Sequence, residues 1–366
     1  IGQFDLTSNH LSIDVLGNEK DMFFKGFDGG SQITALTLDM SAAGAATFND
    51  KIIATGLDIN GSTIKLDGNY PTGTDNVALG NTALDSVEAG GIKNTVIGSE
   101  SGTAITTGDA NTGVGYRSLL STTTGTLNSA FGDNSVRCNT TGSNNTGLGT
   151  SALFNNTTAD NNTAVGSEAL STNTTGGNNT ALGTCALKGN TTGASNVGIG
   201  YLALDTNSTG ASNVGVGRAA LFTNATGTSN TAIGHCSLYT NTAGTNVAVG
   251  TLAMGCNTTG TNNVAVGCGA LLNNVDDNRN TAIGHLSICG NGTISGGCNT
   301  GLGALTLRCI TSGSSNTAIG DSALCKNSTG AQNVAVGSGA LDTNTEGDKN
   351  IAIGYQALDA NTTGDN

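Results

Sequence analysis

The sequence predicts an all-β protein: a parallel β-solenoid (β-roll) of about 17 residues per rung, preceded by a short non-repeat β-rich segment. Three observations predict it. A glycine preceded four residues earlier by Asn recurs seventeen times from Gly80 to Gly354, and thirteen of the sixteen intervals are seventeen residues long. The residue before that glycine is apolar in every copy, and a leucine follows it at +4 in most. The composition, with 57 Gly, one Pro, no Trp and 4% aromatics, is too thin for several conventional cores. Charged residues are only 11%, and the aliphatics recur on schedule, so the Gly, Asn and Thr bias does not read as disorder.

Residues 1–75 do not follow the repeat and read as a stem or shoulder. Short alternating runs such as Leu11-Ser12-Ile13-Asp14-Val15 and Ile33 to Leu38 are bounded by Gly, Asn or Asp, a strand-and-turn pattern. Lys51 to Ala54 and Thr63 to Leu66 are two further strand candidates, and Asn69 to Thr74, containing Pro71, is the expected end.

Residues 76–366 form the array. One rung is Asn162 to Asn178, NTAVGSEALSTNTTGGN. With the closing Gly as position zero, −4 to −1 is expected to be a short strand, since β-branched residues at −3 and −1 suit a pleated sheet. Side chains alternate, so −3 and −1 share one face and −4 and −2 the other. The expected interior consists of the −1 aliphatic and the +4 leucine: Val165 with Leu170, Leu182 with Leu187, Ile199 with Leu204, and Val216 with Leu221. On that assignment Val216→Asp frays the array by burying an unpaired charge. Gly166, Gly183, Gly200 and Gly217 are expected to turn the chain at positive φ. Asn162, Asn179, Asn196, Asn213 and Asn230, at −4, are expected to stack as an amide ladder along the axis. The stretch from zero to +6 is too short and too poor in helix formers for a helix, and is expected to be a bend with a second short strand. The Asn-Thr-Thr-Gly stretch from +7 is read as a corner made by turn formers. Position −2 is Ala or Gly except at Val96, and Gly102 is the one glycine at +4. Small residues at −2, placed outward by this reading, suggest a second packed surface and hence self-association.

The core Asn-[Thr/Val]-Ala-[Val/Ile]-Gly, present as NTAVG, NTAIG and NVAVG, resembles the head repeats of trimeric autotransporter adhesins of the YadA type. The longer unit with Ala-Leu and Asn-Thr-Thr-Gly looks like repeats of phage tail-fibre proteins, and Ile33 to Asp50 is similar to stretches upstream of such repeats. The resemblance covers about four-fifths of the chain. It implies a homotrimeric structural fibre, a tail-fibre shaft located on the virion and taking part in host attachment. Its implied partners are further copies of the chain and a glycan or protein receptor on the host surface. The alternative is an autotransporter-type adhesin head on a bacterial surface. The array stops one residue before the next anchor Asn is due, so the fibre is expected to continue, and the start at Ile1 rather than Met reads as a processed chain or a fragment.

No chemistry is expected: no catalytic residues, no cofactor and no metal site. A net charge of −13 with thirteen scattered basic residues argues against nucleic-acid binding, and no apolar run approaches a membrane span. Nine cysteines fall in different phases with no CxxC pair, although Cys289, Cys309 and Cys325 lie in successive repeats. His235 and His285 are three repeats apart, ~14 Å at one strand spacing per rung. The Asp276-Asp277 corner and the Asn-x-Ser/Thr triplets at Asn173, Asn190, Asn207 and Asn224 are minor candidates for an ion and for glycosylation.

Overall fold

The computed structural model describes residues 73–88, 90–290 and 292–365 in full, and the backbone of five earlier strands. The chain forms two compact units, Ile1–Lys65 and Leu66–Asn366. In the first, β1 (Gln3–Asp5) pairs antiparallel with β2 (Ser12–Asp14), and β3 (Met22–Asp28), β4 (Ser31–Asp39) and β5 (Ala45–Phe48) form an antiparallel meander. The alternating runs at 11–15 and 33–38 thus coincide with β2 and β4. The candidates at 51–54 and 63–66 lie outside the described residues.

The second unit is the solenoid. Seventeen three-residue strands, from β6 (Val77–Leu79) to β22 (Ile351–Ile353), stand in chain order, each parallel to and in register with the next. Each strand occupies −3 to −1, and no helix occurs among the described residues. The expected second strand does not form. The stretch after Gly zero runs instead as consecutive turns, with φ positive at +2 and +4 but not at +3, as at Glu168 (56°) and Leu170 (51°). Leucine in the left-handed region costs on the order of 1 kcal/mol. Full burial of the side chain, worth about 1.5–3 kcal/mol, offsets it. Nothing in the apolar pattern signals that conformation.

The two faces of the strand are the reverse of the expected assignment. Ala164, Ala181, Ala232 and their equivalents at −2 beyond the first rung are buried, with Leu170, Leu187, Leu204 and Leu221 at +4 and a row of Ala or Ser, with one Thr at Thr306, at +3. Val165, Ile199 and Val216 are only half-buried, and Leu182 is 47% exposed. The reason is wall separation. A Cβ added to Gly198 would lie 3.1 Å from Leu187 Cγ of the preceding rung, so only Ala or Gly fits opposite the leucine row. A bulky aliphatic on that face would push the walls apart, so −1 is left pointing outward. One rung confirms the volume constraint by breaking it twice. Val96 is the large residue at −2, and Gly102 in the same rung is the glycine at +4. A Cβ on Gly102 would come within 2.8 Å of Val96 Cγ1.

Inside this narrow coil run two columns of asparagine. The −4 side chain accepts, through Oδ1, the backbone N–H of the −4 Asn of the next rung at all sixteen junctions, at 2.8–3.0 Å. Its Nδ2 donates across the coil to a corner carbonyl, as from Asn162 to Gly176 at 2.9 Å. Ladder bonding at −4 is therefore real, but its donor is mainly the backbone. Direct amide–amide bonds between −4 residues, such as Asn213 Nδ2 to Asn196 Oδ1, occur at some junctions only. Asp lacks the Nδ2 donor and Ser the reach, which accounts for Asn in every copy.

The regular amide-to-amide ladder is at +7, where the sequence suggested only a turn. Asn156, Asn173, Asn190 and Asn207 each donate Nδ2 to Oδ1 of the preceding Asn at 2.8–2.9 Å, and each also donates to its own +10 carbonyl. Thr or Ser at +8 adds a third column, donating Oγ to the next rung's +8 residue, as from Thr174 to Thr191 O. Apolar residues replace the +7 Asn in adjacent pairs, Val87 with Ile105 and Ile294 with Ile310, all buried. Pairing them limits the number of Asn left facing a non-partner. At one such boundary Thr122 Oγ1 is buried without a hydrogen-bond partner.

The closing glycines have φ between 119° and 141° in all seventeen copies. A Cβ on Gly166 would sit 2.5 Å from the carbonyl oxygen of Gly183, so stacking as well as φ demands glycine.

Two stability predictions follow from this packing. Asn207→Ile should cost about 1–3 kcal/mol, because it leaves Asn190 without its donor and Asn224 without its acceptor. Adding Asn224→Ile should cost clearly less than a second equal increment in denaturant titration; simple additivity would show that the ladder is not coupled. In the unusual rung, Val96→Ala and Gly102→Leu should each destabilise by about 1–3 kcal/mol, through a cavity and an overpacked contact respectively. The double variant restores the usual pairing beside Ile105, as Leu307 coexists with Ile310, and should recover most of the loss in thermal melting.

Candidate functional surface

The exposed side of the strands is the most extended chemical feature of the solenoid. Position −1 is Val, Ile, Leu or Phe in every rung, and the parallel register stacks these residues into one column. Leu79, Leu148, Leu182 and Leu302 are each almost half exposed, and Phe131 is the bulkiest member. Thr or Val at −3, with Ser129 and Ile351 the two exceptions, forms the column beside it. At ~4.8 Å per rung this apolar stripe runs on the order of 80 Å. Scattered exposed aliphatics are ordinary on a folded protein; a contiguous stripe of this length is not.

The sequence-predicted ladder residues Asn162, Asn179, Asn196, Asn213 and Asn230 are fully buried, as are Leu170, Leu187, Leu204 and Leu221. Gly166, Gly183, Gly200 and Gly217 turn the chain at positive φ. The surface stripe takes the remaining predicted core residues, Val165, Leu182, Ile199 and Val216. Its signal was available in the sequence, since −2 is small in every copy but Val96 and −1 never is. Deciding which of the two faces inward required the opposite wall.

Ionisable groups are sparse and dispersed. Glu100 pairs with Arg117 at 2.8 Å and Glu168 with Lys188 at 2.5 Å, each across one rung junction. The hydrogen bonds from those cations hold both carboxyls below their ordinary range. Arg218 Nη1 lies 2.8 Å from His235 Nε2, and since arginine only donates, the imidazole nitrogen accepts. Burial raises Asp205 and Asp277, and each has one carboxylate oxygen buried without a hydrogen-bond partner. Among the described residues no group of three or more His, Cys, Asp or Glu could hold a metal ion, so the Asp276-Asp277 corner gathers no ligand set. The nine cysteines are free thiols, including Cys289, Cys309 and Cys325 in successive rungs, and burial pushes Cys289 and Cys325 up. The Asn-x-Ser/Thr asparagines Asn173, Asn190, Asn207 and Asn224 are fully buried with Nδ2 engaged in the ladder, which removes them as glycan acceptors. No helix among the described residues is long and apolar enough to cross a membrane.

Compared with known proteins, the chain matches no family model, no curated protein and no solved structure.

The raised carboxyl of Asp277 gives a prediction with a defined sign. Its folded value lies above the ordinary 3.8 because burial, then Asp276, disfavour the charge. Its stabilising contribution is present below the unfolded value and lost as pH rises through the folded one. Asp277→Asn should therefore melt higher than wild type at neutral pH, with the gap closing as pH falls below the carboxylate range. A gap independent of pH would contradict this.

Proposed function

We propose that this chain forms the shaft of a trimeric attachment fibre of the phage tail-fibre type, with three solenoids packed through their outward strand faces. The observation that carries the reading is the continuous −1 column. Every rung places an aliphatic or aromatic side chain on the outside, although Thr or Ser would serve a solvent-facing strand. A single coil buries mainly Ala and one leucine-sized residue per rung, so burying the stripe between copies would add about one further aliphatic per rung per chain, worth ~1–2 kcal/mol each before association costs. A rod of stacked, nearly identical rungs is a spacer by construction: stiff along its axis, with no enclosed active-site cleft among the described residues. In this reading the fibre stands outside the cell on a virion and projects toward a glycan or protein receptor on a host surface.

Mass in solution with negative-stain imaging tests it. The expected species has about three times the 36.0 kDa chain mass and appears as a thin rod. A monodisperse single chain would overturn the trimer. Leu182→Asp combined with Val216→Asp should lower the mass toward one chain on dilution while keeping the β signal in circular dichroism, because both side chains lie outside the coil. Unfolding of the coil would instead place those residues in its core.

A further inference from the structure

The wall opposite the strands carries a second column on its outer side, formed by the +5 side chains. In two successive rungs it is aromatic: the rings of Phe222 and Tyr239 stack with centroids 5.1 Å apart and planes within 4°. The next rung has Gly255 at this position and the one after it Leu272. The column thus has a vacancy one rung deep, and a surface cavity of about 310 Å³ occupies it, between Tyr239 and Leu272 with Gly255 as floor and Leu252 and Cys256 at its sides. The lining is almost wholly apolar. The lining carries two hydroxyls, the Tyr239 phenol and Thr240, whose O–H donates to the carbonyls of Gly255 and Asn257 at 3.1 and 3.0 Å, so the threonine's polar end is spent inside the corner.

These features restrict what the cavity takes. A sugar needs several convergent donors and acceptors, which the lining lacks, and no charged group lines it to pair with an ion. A flat ring meets the free face of Tyr239, already held parallel by Phe222 behind it, and stacked rings sit at centroid separations of 4.5–7 Å, the interval the rungs themselves impose. We propose that this slot binds a small, planar, uncharged aromatic molecule, its ring stacking on Tyr239 as the third member of the Phe222–Tyr239 column. The site lies on the wall away from the −1 stripe, so it does not rest on the fibre reading.

Indole is a suitable probe, because the chain has no Trp and indole can be excited beyond the absorption band of the five tyrosines. Titrating the full chain into indole should give a saturable blue shift with Kd of about 1 mM or tighter, within the range open to a ligand of nine heavy atoms. Gly255→Val fills the slot. The backbone there is not left-handed, and the nearest atom to the new Cβ is the flexible end of Leu272 at 3.1 Å, so the coil should persist while binding falls at least tenfold. Tyr239→Ala removes the platform and should weaken binding to a similar degree; it decides the matter if circular dichroism shows that Gly255→Val is unfolded. Absence of a saturable shift with wild type, or wild-type affinity in either folded variant, would overturn the proposal.

Discussion

At every rung junction the carbonyl oxygen of one asparagine side chain accepts the backbone N–H of the asparagine seventeen or so residues later. The rest of the solenoid depends on that bond. It satisfies the first backbone donor of each rung just where the strand begins, at a buried position. By engaging Oδ1 along the axis and Nδ2 across the coil, the same side chain ties the strand to the far corner. Two directions of the structure are thus set by one residue, and no other residue type of that size both donates and accepts in this way.

The +7 asparagine closes the arrangement from the other side. Gly176 O receives Nδ2 from both Asn162 and Asn173, so the two columns meet at one carbonyl. Buried amides are costly when unpaired and cohesive when fully paired. This explains why the interior can be half polar and still hold. It also explains how the array tolerates length changes. Where one rung carries two extra residues, Ile294 takes the +7 position, bridging to Asn274, and the Asn280 to Asn299 junction is still made at 2.9 Å.

A core filled by amides, Ala and one leucine-sized residue per rung leaves little to bury within a single coil. The remaining apolar residues then lie outside, as a stripe on the strand wall and as the Phe222–Tyr239 pair on the turn wall. Both surfaces are consequences of wall separation: what cannot fit between the walls must face away from them. The ionisable groups contribute little by comparison, since the ion pairs are exposed and screened.

The seventeen-residue period, a short strand ending at −1, the turning glycines and the burial of the +4 leucine were all legible in the amino-acid order, because each recurs at fixed phase and each has a local physical cause. Alternation also showed that −3 and −1 share one face. It could not show which face is inside, because Val165 and Ala164 are equally compatible with a buried position when considered alone. Only the opposing wall, with Leu170 and its neighbours held one small side chain away, decided that Ala164 is core and Val165 is surface. The compensation between Val96 and Gly102 was visible as two exceptions but not as one event, since their contact runs across the coil. The +7 ladder stayed hidden for a similar reason: Asn before Thr and Gly is a sufficient turn signal, and the bonds that bury it exist only between rungs.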